Sequence, residues 1–193
     1  MKKLIGIGLA ATISFGALSG CSLLGEKSNG VIAYGTEQQV QQLADQKKND
    51  MKEKNIYKMK LTTVEDKKIL VMDKKTGEEL VKKELLKKVD KNDDTKAIDK
   101  LPAITEEQGI IFTKEEAKDI TIDGIQLKYE GNTIIGDGRS YADMFVIVDA
   151  GAYNQIKGEE KSVGVLRLDK DPKNEMKDIK TKVEQVQLVK IKK

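Results

Sequence analysis

Histidine and tryptophan are absent from this 193-residue chain, and cysteine occurs once, at Cys21. Without imidazole, a Ser-His-Asp or Cys-His arrangement and a histidine metal site are excluded. A single cysteine cannot close an intrachain disulfide. The missing indole removes the commonest stacking platform for a sugar or a quaternary amine. Arginine is scarce too: Arg139 and Arg167 are the only two in a lysine-rich chain, so the fork geometry that suits bidentate phosphate recognition is mostly missing. Catalysis is confined to lysine, serine, threonine, tyrosine and carboxylates.

The N-terminus is where the sequence is most specific. Lys2 and Lys3 precede an apolar run over residues 4–17, whose 14 residues fall short of the roughly 20 needed to span a bilayer. Small residues and Cys21 follow, which is the layout of a secretory signal peptide. Its ending, Leu18-Ser19-Gly20-Cys21, resembles the lipobox of bacterial lipoproteins: an aliphatic residue, a small residue, Gly or Ala, then Cys. The resemblance implies that the Cys21 thiolate accepts a diacylglyceryl group, that the bond after Gly20 is cut, and that Cys21 becomes the mature N-terminus. Two acyl chains, at about 0.8 kcal/mol per buried methylene, then anchor the protein to the outer face of the cytoplasmic membrane without a spanning helix. The competing readings are an ordinary cleaved signal with an incidental cysteine and an uncleaved anchor.

Removing residues 1–20 leaves 173, enough for one domain or two small lobes. Setting aside Lys2 and Lys3, 33 cations face 32 acids. That balance argues against a nucleic-acid partner, which wants a basic face. Residues 21–30, with two glycines, two serines and Asn29, read as a flexible tether, with the extracytoplasmic domain in residues 31–193.

Along that domain, residues 31–34 form a short apolar strand, and Thr36 with Gln39 has capping-box spacing for a helix facing inward through Val40, Leu43, Ala44 and Met51. Residues 56–62 alternate Tyr57, Met59 and Leu61 with polar positions, as in a half-buried strand. Residues 69–72 give another strand, Thr76 to Glu79 supply a turn with a second capping box, and Val81, Leu85, Leu86 and Val89 fall at helical spacing. The charged segment 90–100 reads as an exposed connection. Asp90, Asn92 and Asp94 match the first ligands of a calcium loop, but Thr95 stands where glycine is needed and Leu101 where glutamate is, so the solvated-loop reading is preferred. Residues 110–112 lead into a capping box and short helix over Thr113 to Glu116. Asp123-Gly124 marks a hairpin, and residues 133–135 form a strand. Met144 to Val148 is five apolar residues in a row, a strand covered on both faces. Asp149 caps a helix over 150–157 ended by Gly158, and 163–168 is a strand with Val163, Val165 and Arg167 on one face. Asp171-Pro172 opens a helix lined by Met176, Ile179 and Val183, and 186–191 is a closing strand.

Residues 144–158 and 163–168, with an aliphatic strand ending in Asp149 and then Ala152-Tyr153-Asn154-Gln155-Ile156-Lys157, resemble the extracytoplasmic domain of FtsX-like ABC permeases. The early strand, polar helix and Asn55-Ile56-Tyr57 fit the same picture. The resemblance implies an α+β fold: a mixed sheet built from early and late strand-helix-strand units, with an inserted β-rich second lobe over 69–141. Those permeases carry spanning helices and this chain does not, so any coupling to transport would run through a partner. Small lipoproteins of spore-forming Gram-positive bacteria share the Lys-rich, His-poor, Trp-free composition.

Gly136, Asp137, Gly138, Arg139 and Ser140 form the candidate ligand loop, because glycines expose backbone N–H groups and Arg139 is a rare fork donor; the plainer reading is a flexible hairpin connection. Tyr141, Phe145 and Tyr153 are candidates for an aromatic pocket edge. The adjacent acids Glu106-Glu107, Glu115-Glu116 and Glu159-Glu160 could supply the opposed carboxylates of glycoside hydrolysis, although neighbours in sequence do not face each other. The expectation is a non-catalytic, lipid-anchored binding or interaction module of the cell envelope without metal or cofactor. It would meet an envelope protein or peptide through residues 136–141 and Tyr153, and work with a membrane transporter or sensor. The alternatives are a carboxylate-based hydrolase of envelope substrates and a purely structural lipoprotein.

Overall fold

The chain joins its fold at Ser28 and Asn29, and the computed structural model describes residues 28–118 and 120–192. The signal peptide, Gly20 and Cys21 lie outside the described residues. Residues 28–30, read above as the end of the tether, belong to the fold. The Asn29 N–H donates to the Val189 carbonyl at 3.2 Å, its carbonyl accepts from Leu168 N–H at 2.8 Å, and its side chain exchanges two bonds with the Ile191 backbone at 2.7 and 2.9 Å.

From that clamp β1 (Gly30–Gly35) runs into α1 (Glu37–Gln46), where Thr36 and Gln39 make both bonds of the predicted capping box. Met51, expected on that helix, instead opens the long β2 (Met51–Val64), which hairpins into β3 (Lys67–Asp73). Helix α2 (Lys74–Lys82) is capped by Asp73, whose carboxylate accepts from Thr76 N–H at 2.7 Å; residues 76–79 are its body, not a turn. Glu84, at φ 57°, then breaks the helical direction, so Leu86 and Val89 sit in β4 (Leu86–Val89) rather than on the expected helix. Segment 90–100 is largely a hairpin, turned by the Asp90 carboxylate and returned by β5 (Thr95–Ala97).

Next come β6 (Gln108–Phe112), β7 (Ile120–Ile122) and β8 (Ile125–Tyr129). No helix follows Thr113, whose hydroxyl donates to the Glu115 carbonyl in a local turn. Asp123 and Gly124, at φ 48° and 85°, make the tight hairpin their sequence predicted. The chain continues through β9 (Thr133–Ile135), β10 (Met144–Val148), α3 (Ala150–Gln155), β11 (Glu159–Leu168), a 3-10 turn at Pro172–Glu175, α4 (Met176–Lys180) and β12 (Gln185–Val189). Asp149 caps α3 as expected, but that helix ends before Gly158, where Lys60 donates to the Tyr153 and Ile156 carbonyls, each at 2.7 Å.

The fold is α+β, with a nine-stranded mixed sheet in the order β12-β1-β11-β2-β3-β10-β6-β8-β7 and a small sheet β5-β4-β9. Strands β3 with β10 and β6 with β8 are parallel; the other pairs of the large sheet are antiparallel. The early and late strand-helix-strand units interlock, because β11 inserts between β1 and β2. Only β4, β5 and β9 of segment 69–141 leave the main sheet; β3, β6, β7 and β8 extend it, so the second layer is narrower than the expected lobe.

Period-two alternation sends Ile32, Tyr34, Met59, Leu70, Phe145 and Val163 to one face, beneath α2 and the small sheet. The opposite face holds two clusters. In one, α1 and α4 bring Leu43 and Ile179 onto Ala33 and Leu166; in the other, α3 covers Val71 and Val146. Fully burying a leucine such as Leu43 contributes roughly 1.5–3 kcal/mol. Helix α1 approaches closely because Gly164 has no side chain: a Cβ there would stand 2.6 Å from a Val40 methyl.

Candidate functional site

The loop from Gly136 to Asp143 rises along β1 and β12 on the first face of the main sheet. Gly136 is required at its start: φ is 64°, and a Cβ would stand 2.9 Å from the Ile32 methyl and press on Gln187. Gln187, buried on β12, holds the loop from below. It accepts from Asp137 N–H at 3.2 Å and donates to Ser140 Oγ at 3.0 Å and to the Gly138 carbonyl at 3.4 Å.

Arg139, expected to offer its fork to a ligand, spends it inside the protein. Its terminal nitrogens donate to the carbonyls of Phe112, Asp143 and Thr133 and to Asn132 Oδ1, at 2.9–3.1 Å, and the guanidinium lies 5.0 Å over the Phe145 ring. Burial pulls this guanidinium down to about 10. The residue is a brace between β6, β9 and β10. Gln187 and Arg139 hold the loop in place, so it is not the flexible connection that the plainer reading expected.

Tyr141 has a different fate. Its ring stacks on Tyr34 with centroids 4.7 Å apart and planes 20° apart, and its hydroxyl donates to Glu184 Oε2 at 2.7 Å. Lys161, 7% exposed, lies between two carboxylates: Glu184 at 2.8 Å and Glu159 at 2.7 Å. Burial works against the Glu184 carboxylate, yet the bonds from Lys161 and Tyr141 outweigh it and hold the group below its ordinary range. Burial likewise works against the Lys161 ammonium, and its two acids hold it above its ordinary value. Tyr141 is pushed up by burial and by Glu184, Tyr34 by burial and Asp137, and Asp137 itself is raised by burial. The result is a rigid aromatic step with a fixed ion-pair triad at its edge.

The Gly136–Tyr141 loop is thus joined by Tyr34, Lys161, Glu184 and Gln187, none of which the sequence reading singled out. One signal was legible: on a strand whose Val163 and Val165 point inward, Lys161 must point inward too. Tyr153 does not join this group. It lies on α3 across the sheet, with Lys60 4.8 Å above its ring, and burial pushes its phenol up to about 12.

A second triad occupies the other end of the same face. Glu53 accepts from Lys83 and from Arg167 Nε at 3.3 Å, and the bond from Lys83 leads the effects that hold its carboxyl below the ordinary range. The buried Asn55 Oδ1 and Tyr57 hydroxyl beside it have no partner, and burial pushes the Tyr57 phenol up to about 12. Among the described residues no cluster of acidic, histidine or cysteine side chains could hold a metal ion, and no helix is long and apolar enough to cross a membrane.

Fold and surface define an α+β domain with a preformed polar and aromatic surface at one end of its main sheet. The chain belongs to the uncharacterised lipoprotein family, whose model matches residues 28–192. It is similar to a Bacillus anthracis protein of known 1.5 Å crystal structure that carries the provisional description of lipoprotein. The two are 44% identical with a TM-score of 0.82, over 86% of this chain and all of that one. No curated protein matches the chain. Membership makes this a bacterial lipoprotein, a class associated with membranes through attached lipid.

Proposed function

We propose that this chain is a lipid-anchored, non-catalytic binding module on the extracytoplasmic face of the cell membrane, which captures an envelope protein or peptide at the Tyr141 surface. The observation that carries this reading is the Tyr34–Tyr141 stack pinned by Glu184. A half-buried tyrosine already fixed in place loses little freedom on binding, and such anchors carry much of the energy of protein interfaces. The exposed Glu159 at the edge of this surface, with Glu160 next to it in β11, favours a partner with cationic side chains. A transporter or sensor of the same membrane is the partner that the sequence resemblance to permease domains would imply, although the comparisons with known proteins return lipoproteins and no permease. The non-catalytic part rests on the triad's chemistry: Lys161 and Glu184 hold one another ionised, which suits positioning rather than proton transfer.

The test is a photo-reactive phenylalanine analogue at position 141, compared with one at the exposed Lys91 in the distant hairpin, in native membranes. A discrete adduct from 141 alone, lost on Glu159→Lys with Glu160→Lys, supports the reading. Equal adducts from both positions, or none from 141, sink it.

A further inference from the structure

The end of the domain opposite Tyr141 has a chemistry of its own. Gly30 pairs with Arg167 and Val189, Leu168 with Met51, and Asp169 N–H donates to the Asp50 carbonyl at 2.8 Å. Three separate segments, 48–52, 168–173 and 190–192, therefore converge around Asn29, where the chain joins the fold. Lys48, Lys170 and Lys173 are exposed there and make no ion pair among the described residues, and they outnumber the exposed carboxylates Asp50 and Asp171 of the same segments. Lys52 and Lys192 add exposed ammonium groups neutralised by Asp169 and Glu84 at 2.8 and 2.7 Å. Just inside, the Glu53 triad carries two cations to one acid. The far-end triad has the opposite composition, with two acids to one cation around Lys161, while the exposed Glu37 there is answered by Lys58 at 3.9 Å.

We propose that this Asn29 end docks on an anionic phospholipid surface, its lysines meeting headgroup phosphates, so that the domain stands with Tyr141 directed away from the membrane. The proposal rests on Cys21 as the attachment point. From Cys21 to Ser28 is seven residues, a reach of at most about 25 Å, so attachment brings this end to the lipid before any other. Lysine meets phosphate as a point charge, and each one near an anionic surface raises the docked fraction roughly fivefold.

The test couples the mature chain through Cys21, its single thiol, to a maleimide lipid in phosphatidylcholine vesicles with and without phosphatidylglycerol. Lysine acetylation rates are then read peptide by peptide by mass spectrometry. Lys48, Lys170 and Lys173 should react about fivefold more slowly on the anionic vesicles and recover in molar salt. The far-end Lys58 and Lys67 should not change. Equal rates on both vesicles, or slowing at Lys58 and Lys67, overturns the proposal, as does a Lys48→Glu, Lys170→Glu, Lys173→Glu variant that still distinguishes the two vesicles. Chemical coupling replaces cellular lipidation, so a failure here is separable from a failure of Cys21 to be acylated in cells.

Discussion

Two charge triads share one face of the main sheet, and their compositions are inverted. Near Asn29 one carboxylate, Glu53, answers two cations, Lys83 and Arg167; at the far end one cation, Lys161, answers two carboxylates, Glu159 and Glu184. Both use β11, which points Lys161 and Arg167 to the same side six residues apart. Their surroundings differ. The side chains of Lys83 and Arg167 are 11% and 16% exposed, whereas Glu159 and Glu184 are 65% and 32% exposed. The first triad is an interior brace. The second opens to solvent beside an aromatic step, so one sheet face serves cohesion at one end and presentation at the other.

The strongest way to break this comparison is to remove each triad's centre. Glu53→Ala leaves two poorly hydrated cations without an acid and should cost about 3–5 kcal/mol in urea unfolding. Lys161→Ala leaves acids that can turn to water and should cost about 2 kcal/mol. Equal losses would erase the distinction.

Acid titration sharpens the same contrast. Glu53 and Glu184 both sit below their unfolded values, so their stabilisation is complete above the unfolded carboxyl value of about 4.3 and is lost as pH falls through the folded value. Stability should therefore decline on acidification below about pH 5, and Glu53→Gln should flatten that decline.

The smallest effects separate two tyrosines. Tyr141→Phe loses the bond to Glu184 and should cost about 1 kcal/mol, while Tyr57→Phe removes a hydroxyl without a partner and should be neutral or stabilising by under about 1 kcal/mol. Tyr57 also titrates near 12 in the fold against about 10 unfolded, so its stabilisation is present below pH 10 and lost towards pH 12. The phenylalanine variant should lack that alkaline loss in a thermal melt.

Much of the fold was legible where local chemistry decides. The Thr36–Gln39 box, the Asp123-Gly124 turn, the apolar run 144–148 and the Asp149 cap each act within a few residues, and each formed as read. Residues 85–89 were not legible, because their apolar spacing suits a helix equally well. The strand is decided by Glu84 in the left-handed region and by pairing with residues 133–135, far along the chain. The site divides in the same way. Tyr141 was anticipated, but Tyr34, Lys161, Glu184 and Gln187 reach it through sheet order, which no local pattern encodes. Arg139 drew notice for its rarity, and its scarcity gave no hint that its acceptors lie inside the fold. Tyr153 is near Tyr141 in sequence and across the sheet in space.

All of this concerns a domain that works while held at a membrane, and the direct check is the intact mass and N-terminal peptide of the protein extracted from cell membranes. The expected product is a chain beginning at Cys21 with its sulfur diacylglycerylated. A free thiol at Cys21, or a retained leader, would contradict it.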